Sequence, residues 1–140
     1  MQKLRAHGVQ GNVLRWIRNW LTGRRQRVVL NGKCSDWTDV LSGVPQGSVL
    51  GPILFLIFIN DLDAATSVIR VMKKFADDTK LGHTVNSDVE RGELQEALDK
   101  LCRWADLWGM EFNVKKCKVM HVGHNNQRYQ YTMGGEVLEV

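Results

Sequence analysis

Acidic residues are missing from the beginning of this sequence. Residues 1–35 contain no aspartate or glutamate but carry eight of the 19 lysine and arginine residues. Residues 36–63 carry four acidic residues and no basic one. From residue 64 onwards, the charges of eleven acidic and eleven basic residues cancel. The local excess of positive charge in residues 1–35 is what binding to a polyanion requires, although a solvated helix face that binds nothing explains it equally well. The arginines expected to contact a nucleic-acid backbone are Arg15, Arg18, Arg24, Arg25 and Arg27.

Cysteine is scarce as well. The three cysteines are an odd number without the spacing of a disulfide framework, and the first ten residues lack the apolar core of a signal peptide. The longest apolar run, residues 49–59, is well short of the roughly 20 residues that cross a bilayer as a helix. We therefore expect a reduced, intracellular protein of the cytoplasm or nucleus that has no membrane partner.

Repeats, low-complexity tracts and Pro/Gly/Ser-rich linkers are also missing. A chain of 140 residues with 44% hydrophobic content can bury one modest core. The sequence therefore predicts a single domain over residues 1–140.

Apolar periodicity predicts the elements of the first half of the chain. Helical spacing indicates an amphipathic helix over residues 3–21. Two β-prone runs, residues 26–30 and 36–41, flank a turn-rich segment and predict a hairpin. A loop around Pro45 then leads into an apolar helix that starts near Ser48 and ends at Asn60.

The second half is predicted in the same way. Residues 68–76 and 79–82 indicate a hairpin, and Ser87-x-x-Glu90 indicates the start of a helix that runs to residue 108. Short strands are expected at Phe112, Val119 and Val122, followed by a terminal hairpin across Gly134-Gly135. The predicted fold class is α+β, with antiparallel hairpins packed against two or three helices.

The hairpin of residues 68–82 carries Asp77 and Asp78 at its tip. Adjacent carboxylates supply the hard oxygen ligands that Mg²⁺ favours when it also holds substrate phosphates. Acidic pairs are also common in tight turns that have only a structural role. The residues alone leave both interpretations open.

Three sequence motifs decide between them. Phe75-Ala76-Asp77-Asp78 matches the (Phe/Tyr)-Ala-Asp-Asp motif of reverse transcriptases. Residues 42–62 resemble the long motif that precedes it in non-LTR (LINE-type) retrotransposons, and residues 108–118 are similar to the later Gly-x-x-x-Asn-x-x-Lys segment. Residues 16–29 also resemble these elements. The chain therefore resembles a reverse transcriptase domain of a non-LTR retrotransposon, with the family's motifs B, C and D in order.

The resemblance implies a partial palm of an RNA-directed DNA polymerase. Such an enzyme copies an RNA template onto a DNA primer from deoxynucleoside triphosphates, with Mg²⁺ as its cofactor. The resemblance makes Asp77 a metal ligand and Asp78 an assisting one. It places Lys116 near the departing pyrophosphate, although a plain surface lysine is an equal alternative. The residues that it places at the nucleotide and template are Pro45, Gln46, Gly47, Phe75 and Ala76.

The family's first catalytic aspartate has no counterpart here. Two-metal nucleotidyl transfer requires carboxylates from separate strands, and residues 1–35 contain none. With motif A and the thumb missing from this sequence, we expect a truncated fragment that is catalytically incomplete by itself. The alternatives are a non-catalytic nucleic-acid-binding remnant that uses basic residues 3–33, and an inert relic.

A separate constellation allows a different metal. Cys117, His121 and His124, with Cys102 as a fourth ligand, could hold zinc. Cys117, Val119 and His121 also share one face of a predicted strand, so core packing explains them equally well.

Overall fold

The protein is described by a computed structural model that covers the backbone of residues 1–140 and every side chain except that of Ala65. It combines helices with small antiparallel sheets, which confirms the α+β class. The residues group into two compact units, Met1–Asn60 and Asp61–Val140, and each is described by itself. The expected single domain stays a prediction.

Three helices form the first unit: α1 (Gln2–Ala6), α2 (Gly11–Leu21) and α3 (Leu50–Ile59). The prediction of one continuous helix over residues 3–21 is wrong. Gly8 and Gly11 have φ angles of 81° and 60°, in the left-handed region that interrupts a right-handed helix. The apolar periodicity continues across this break, which is why the sequence did not reveal it.

The core of the first unit lies between these helices. Leu4, Leu14, Ile17 and Leu54 are buried together. Partly buried apolar side chains surround them, namely Val9, Trp20, Leu21, Val44, Leu50 and Ile57. The apolar helix after the loop is confirmed, and Pro52 stands in its first turn, where the missing amide hydrogen has no helical acceptor to lose.

Two short antiparallel ribbons lie between α2 and α3 in the sequence. They pair β1 (Arg25–Gln26) with β4 (Thr38–Asp39) and β2 (Val29–Leu30) with β3 (Lys33–Cys34). The predicted hairpin is therefore present but interrupted. Asn31 and Gly32 join β2 to β3 with φ angles of 49° and 76°, the pair of positive values that a type I′ turn requires.

The second unit opens with a 3-10 helix, Asn60–Thr66, whose first residue lies at the boundary. A hairpin of β5 (Val71–Phe75) and β6 (Asp78–Gly82) follows, as the sequence predicted. Its loop has two residues, Ala76 and Asp77. Ala76 has a φ angle of 52°, and positive φ at the first loop residue alone is typical of a type II′ turn, which favours glycine there.

Helix α4 (Asp88–Trp108) is the longest element. The Ser87 hydroxyl accepts a hydrogen bond from the Glu90 amide at 3.3 Å, and the Glu90 carboxylate accepts one from the Asn86 amide at 2.6 Å. Gly109 ends the helix with a φ angle of 65°. Both predicted ends of the helix are confirmed.

The carboxyl-terminal hairpin packs on α4. It pairs β7 (Thr132–Met133) with β8 (Glu136–Val137) across the predicted glycine turn. The Gln95 side chain binds both main-chain groups of Thr132, each at 2.9 Å. The buried apolar residues of this unit are Leu62, Ala97, Leu101, Trp104, Ala105, Tyr131, Met133 and Leu138.

The segment between α4 and β7 differs from the prediction. In place of strands at Phe112, Val119 and Val122, the described chain has a 3-10 helix, Val114–Lys116, and one bridge between Lys118 and Glu139. The Val119 amide does donate to the Glu139 carbonyl at 2.7 Å. Without a longer partner strand, the β-prone residues remain irregular.

Of the helices that the structure describes, none has both the length and the apolar composition of a transmembrane segment.

Replacing Ser87 with alanine tests the cap of α4. The substitution removes the hydroxyl that accepts from the Glu90 amide, so the free energy of unfolding should fall by about 1 kcal/mol. Urea denaturation measures it. Ser67→Ala, at an exposed turn, is the matched control and should change stability by less than about 0.5 kcal/mol. Equal effects of the two variants would contradict a capping role.

Replacing Ala76 with glycine tests the strain in the hairpin loop. A left-handed alanine costs about 1 to 2 kcal/mol, of which glycine's extra freedom in the unfolded chain offsets part. Ala76→Gly should therefore raise the free energy of unfolding by about 0.5 to 1 kcal/mol, and Ala76→Val should lower it. A lower urea midpoint for the glycine variant would show that Ala76 is unstrained.

Candidate active site

The two aspartates lie at the tip of the β5–β6 hairpin. Phe75 and Asp78 are its last paired residues, and Asp77 is in the loop between them. Both carboxylates are exposed, and the Phe75 side chain is 84% exposed. The hairpin therefore presents two carboxylates and an aromatic ring to solvent at one point.

The register divides the hairpin into two faces. Side chains alternate along a strand, so Phe75 and Asp78 share a face with the cross-strand pair Lys73 and Lys80. These residues are exposed, whereas the other face is half-buried. Lys73 and Lys80 stand directly opposite each other, which is unfavourable for like charges unless an anion lies between them.

The carboxylates of Asp77 and Asp78 form no ion pair or side-chain hydrogen bond with any residue that the structure describes. The nearby Lys74 lies on the half-buried face, where its ammonium group contacts Asp63 at 2.9 Å. The lone pairs of Asp77 and Asp78 are therefore open to an external cation. Hard carboxylate oxygens of this kind suit Mg²⁺.

The base of the hairpin is attached to the rest of the second unit. His83, directly after β6, places its Nε2 atom 3.0 Å from a carboxylate oxygen of Glu93 on α4. On the preceding strand, the Thr66 hydroxyl donates to the sulfur of Met72 at 2.8 Å. These contacts position the strands, while the tip with its aspartates extends into solvent.

The Pro45-Gln46-Gly47 loop belongs to the first unit. At its end, the Ser48 hydroxyl donates to the Pro45 carbonyl at 2.7 Å and accepts from the Gly51 amide at 3.0 Å. A Cβ atom on Gly51 would lie 2.9 Å from the Ser48 oxygen and 3.2 Å from the Pro45 carbonyl, so only glycine allows this close approach. Gln46 and Gly47 are exposed on the loop.

Arg24 anchors the other end of this loop. Its guanidinium donates to the main-chain carbonyls of Leu21 at 2.9 Å and Gly43 at 2.6 Å, with a longer contact to Ser42. Arg24 is half-buried, unlike the other arginines of the expected backbone-binding set. Most of its donors are thus engaged within the chain.

The remaining arginines of that set fall into two groups. Arg15 and Arg18 line a shallow cavity of about 440 Å³ together with Arg5, Gln10, Gly11 and Leu14. Arg25 and Arg27 flank the ring of Trp37, with guanidinium carbons 5.8 and 4.8 Å from its centroid. Both groups are exposed and lie in the segment that lacks acids.

Lys116 lies exposed in the 3-10 helix Val114–Lys116. The described residues show no contact between it and either aspartate of the hairpin. Its proposed role at the pyrophosphate stays a prediction.

The zinc constellation is not assembled. No group of three or more His, Cys, Asp or Glu side chains able to hold a metal is found among the described residues. Burial raises the pKa of the Cys117 thiol, and the nearby Cys102 raises it further. A raised thiol pKa disfavours the thiolate that zinc requires.

The sequence did not single out Lys73, Lys80 or Trp37. The two lysines could have been found by counting outward from the Ala76-Asp77 loop, because this register places residues 73 and 80 opposite each other. Trp37 could not have been found in this way, since its neighbours depend on the interrupted pairing of β1 and β4.

Comparison with known proteins identifies the family of the chain. Residues 1–135 match the family described as reverse transcriptase (RNA-dependent DNA polymerase). The chain is 34% identical over 108 residues to the RNA-directed DNA polymerase from mobile element jockey of Drosophila melanogaster, which covers 72% of this chain and 12% of that protein. It is 29% identical over 104 residues to the probable RNA-directed DNA polymerase from transposon X-element of the same species, covering 71% of this chain and 12% of the relative.

A more distant relative matches over a longer stretch. The Retrovirus-related Pol polyprotein from type-1 retrotransposable element R2 of Popillia japonica is 27% identical over 128 residues, which covers 84% of this chain and 20% of that protein. No solved structure matches the chain. The coverages of 12% to 20% mean that the chain spans a small part of the length of these relatives. It belongs to the reverse transcriptase (RNA-dependent DNA polymerase) family, which confirms the resemblance to non-LTR retrotransposon domains that its motifs indicate.

Proposed function

We propose that this chain is the palm portion of an RNA-directed DNA polymerase, in which Asp77 holds catalytic Mg²⁺ and Asp78 assists. The reverse transcriptase family is metal-dependent and binds a nucleic-acid template and primer. The finer assignments are an RNA template, a DNA primer and deoxynucleoside triphosphates as substrates. The intracellular location, in nucleus or cytoplasm, belongs to the same proposal.

One observation carries the proposal. The Asp77 and Asp78 carboxylates are exposed at the tip of a register-defined hairpin, and neither has a cationic partner among the described side chains. An aspartate with only a structural role in a turn would be expected to bind its own backbone or a neighbouring cation. The pair is therefore available to a metal ion.

When bound, Mg²⁺ would supply Lewis-acid stabilisation to the transferring phosphate. Residues of this chain can also interact with that phosphate. Lys73 and Lys80 bring two positive charges to the face that carries Asp78, where they can offset the charge of a phosphate chain. Phe75 lies beside them with its ring exposed, suited to contact a nucleotide.

The Pro45-Gln46-Gly47 loop is the proposed contact to template and incoming nucleotide. Arg24 fixes the segment before it and Ser48 the segment after it. Gly47 has a φ angle of 76°, which favours glycine, and glycine has no side chain to cover its backbone. The Gln46 amide, which can donate and accept, is held exposed between two anchored ends.

Asp77→Asn tests the metal assignment directly. The variant keeps the size of the side chain but removes its charge, so Mn²⁺ affinity should fall at least about tenfold, because even indirect partners of a metal ligand contribute that much. Electron paramagnetic resonance of free Mn²⁺ measures it. Asp36→Asn, at another exposed aspartate, is the matched control and should leave the affinity unchanged. Equal affinities of the Asp77→Asn variant and the parent chain would overturn the assignment.

Primer extension on poly(rA)/oligo(dT) with Mg²⁺ or Mn²⁺ tests the catalytic state of the chain. We expect the isolated chain to bind metal without extending the primer, because a two-metal clamp requires carboxylates from separate strands. Extension that Asp77→Ala abolishes would show that another carboxylate of this chain completes the site.

A second candidate function is nucleic-acid binding without catalysis. It is favoured by the cavity of about 440 Å³ that Arg5, Arg15 and Arg18 line in a segment without acids. Guanidinium groups bind phosphate through paired hydrogen bonds. Three of them around one cavity form a surface for a nucleic-acid backbone.

The double variant Arg15→Gln/Arg18→Gln tests this surface. If each arginine neutralises one phosphate of single-stranded RNA, the slope of log affinity against log salt should become shallower by about 1.4. Fluorescence anisotropy over a salt series measures the slope. Arg70→Gln/Arg128→Gln removes the same charge from exposed sites elsewhere and should leave it nearly unchanged. Equal slopes in both double variants would contradict a specific role for the cavity.

A further inference from the structure

Both strands of the β1–β4 ribbon in the first unit are exposed. Its register pairs Arg25 with Asp39 and Gln26 with Thr38, so the next opposed residues are Arg27 and Trp37. Side chains on a two-stranded ribbon alternate between faces, which places Arg25, Arg27, Trp37 and Asp39 on one face. Two guanidinium groups and an indole are thus gathered by backbone pairing.

The contacts on this face confirm that grouping. The guanidinium carbon of Arg27 lies 4.8 Å from the centroid of the Trp37 ring, and that of Arg25 lies 5.8 Å from it. Asp39 contacts the Arg25 guanidinium at 3.5 Å. Arg27 has no carboxylate partner among the described residues, so the face keeps a net positive charge beside the ring.

These contacts do not bury Trp37. Its side chain remains 50% exposed although it is a large apolar group at a protein surface. An exposed ring with two cations next to it suits a ligand that has both a flat π-surface and negative charge. Single-stranded nucleic acid has both, because its bases are unpaired and its backbone is anionic, whereas a duplex hides its base faces.

We propose that Trp37, flanked by Arg25 and Arg27, is a stacking platform for an unpaired base of single-stranded nucleic acid, with the two guanidinium groups on the adjoining phosphates. The platform is separate from the aspartate hairpin and requires no metal or catalysis. It rests on the proposed function only in that the chain binds nucleic acid. Its consequence is preference for single strands over duplexes and over polyanions without bases.

Affinities for three ligands test the proposal: a short single-stranded RNA, the duplex of the same sequence, and inorganic polyphosphate. Trp37→Leu keeps apolar volume but removes the π-face, so RNA affinity should fall about tenfold, as loss of one stacked base predicts. Polyphosphate affinity should stay within about twofold, because no cation is removed. Trp37→Phe should retain most of the RNA affinity.

Trp16→Leu is the matched control. Trp16 is 54% exposed in the same unit but stacks on Trp20 instead of an arginine pair, with centroids 6.0 Å apart. Its substitution should leave RNA affinity unchanged. Far-ultraviolet circular dichroism and urea midpoints of all variants show that they are folded.

A salt series separates stacking from charge. Trp37→Leu should leave the slope of log affinity against log salt unchanged, whereas Arg27→Ala should make it shallower by about 0.7. A loss of RNA and polyphosphate binding by the same factor in Trp37→Leu would overturn the proposal, since the ring would then only position the arginines. Unchanged RNA affinity in that variant would also overturn it. Failure of the parent chain to bind either ligand would overturn both this platform and the proposed nucleic-acid function.

Discussion

The hydrogen-bonded pair of Phe75 and Asp78 closes the β5–β6 hairpin, and the geometry of the aspartate site depends on it. With these two residues opposed, only Ala76 and Asp77 remain to reverse the chain, and the first of them is driven to positive φ. A shift by one residue would exchange the two faces of the hairpin. Asp78 and Lys80, which are two residues apart on β6, would then leave the face of Phe75 and Lys73 on β5. The backbone strain at Ala76 is thus the energetic cost of a register that presents the carboxylates together with two cations.

In the first unit, the fold gives different roles to charges that lie close together in the sequence. Arg24, Arg25 and Arg27 are near neighbours in the chain, yet Arg24 holds a loop through main-chain carbonyls while the other two flank an indole. The planar fork of a guanidinium suits both tasks. A lysine at position 24 would bring a point charge in place of the fork that reaches both Leu21 and Gly43. The basic segment is therefore not one uniform patch but several sites with different chemistry.

Features with a local cause could be predicted from the sequence. The cap at Ser87, the glycine end at Gly109 and the aspartate hairpin follow from short-range rules, and the structure has all three. The break between α1 and α2 was missed because the apolar spacing runs through Gly8 without interruption. The strands expected at Phe112, Val119 and Val122 were wrong because β-propensity needs a partner that the sequence does not identify. The family could be read from motifs, whereas the neighbours of Trp37 depend on pairing at a distance.

The ribbons in the described part of the chain are all two-stranded, so each leaves main-chain donors and acceptors unpaired along its outer edges. The β2–β3 ribbon combines such edges with apolar side chains, since Val29 and Leu30 are 60% and 69% exposed. An uncovered apolar edge is a template for the addition of a further strand from another chain. This short ribbon is therefore where intermolecular β-sheet, and with it aggregation of the concentrated protein, would begin.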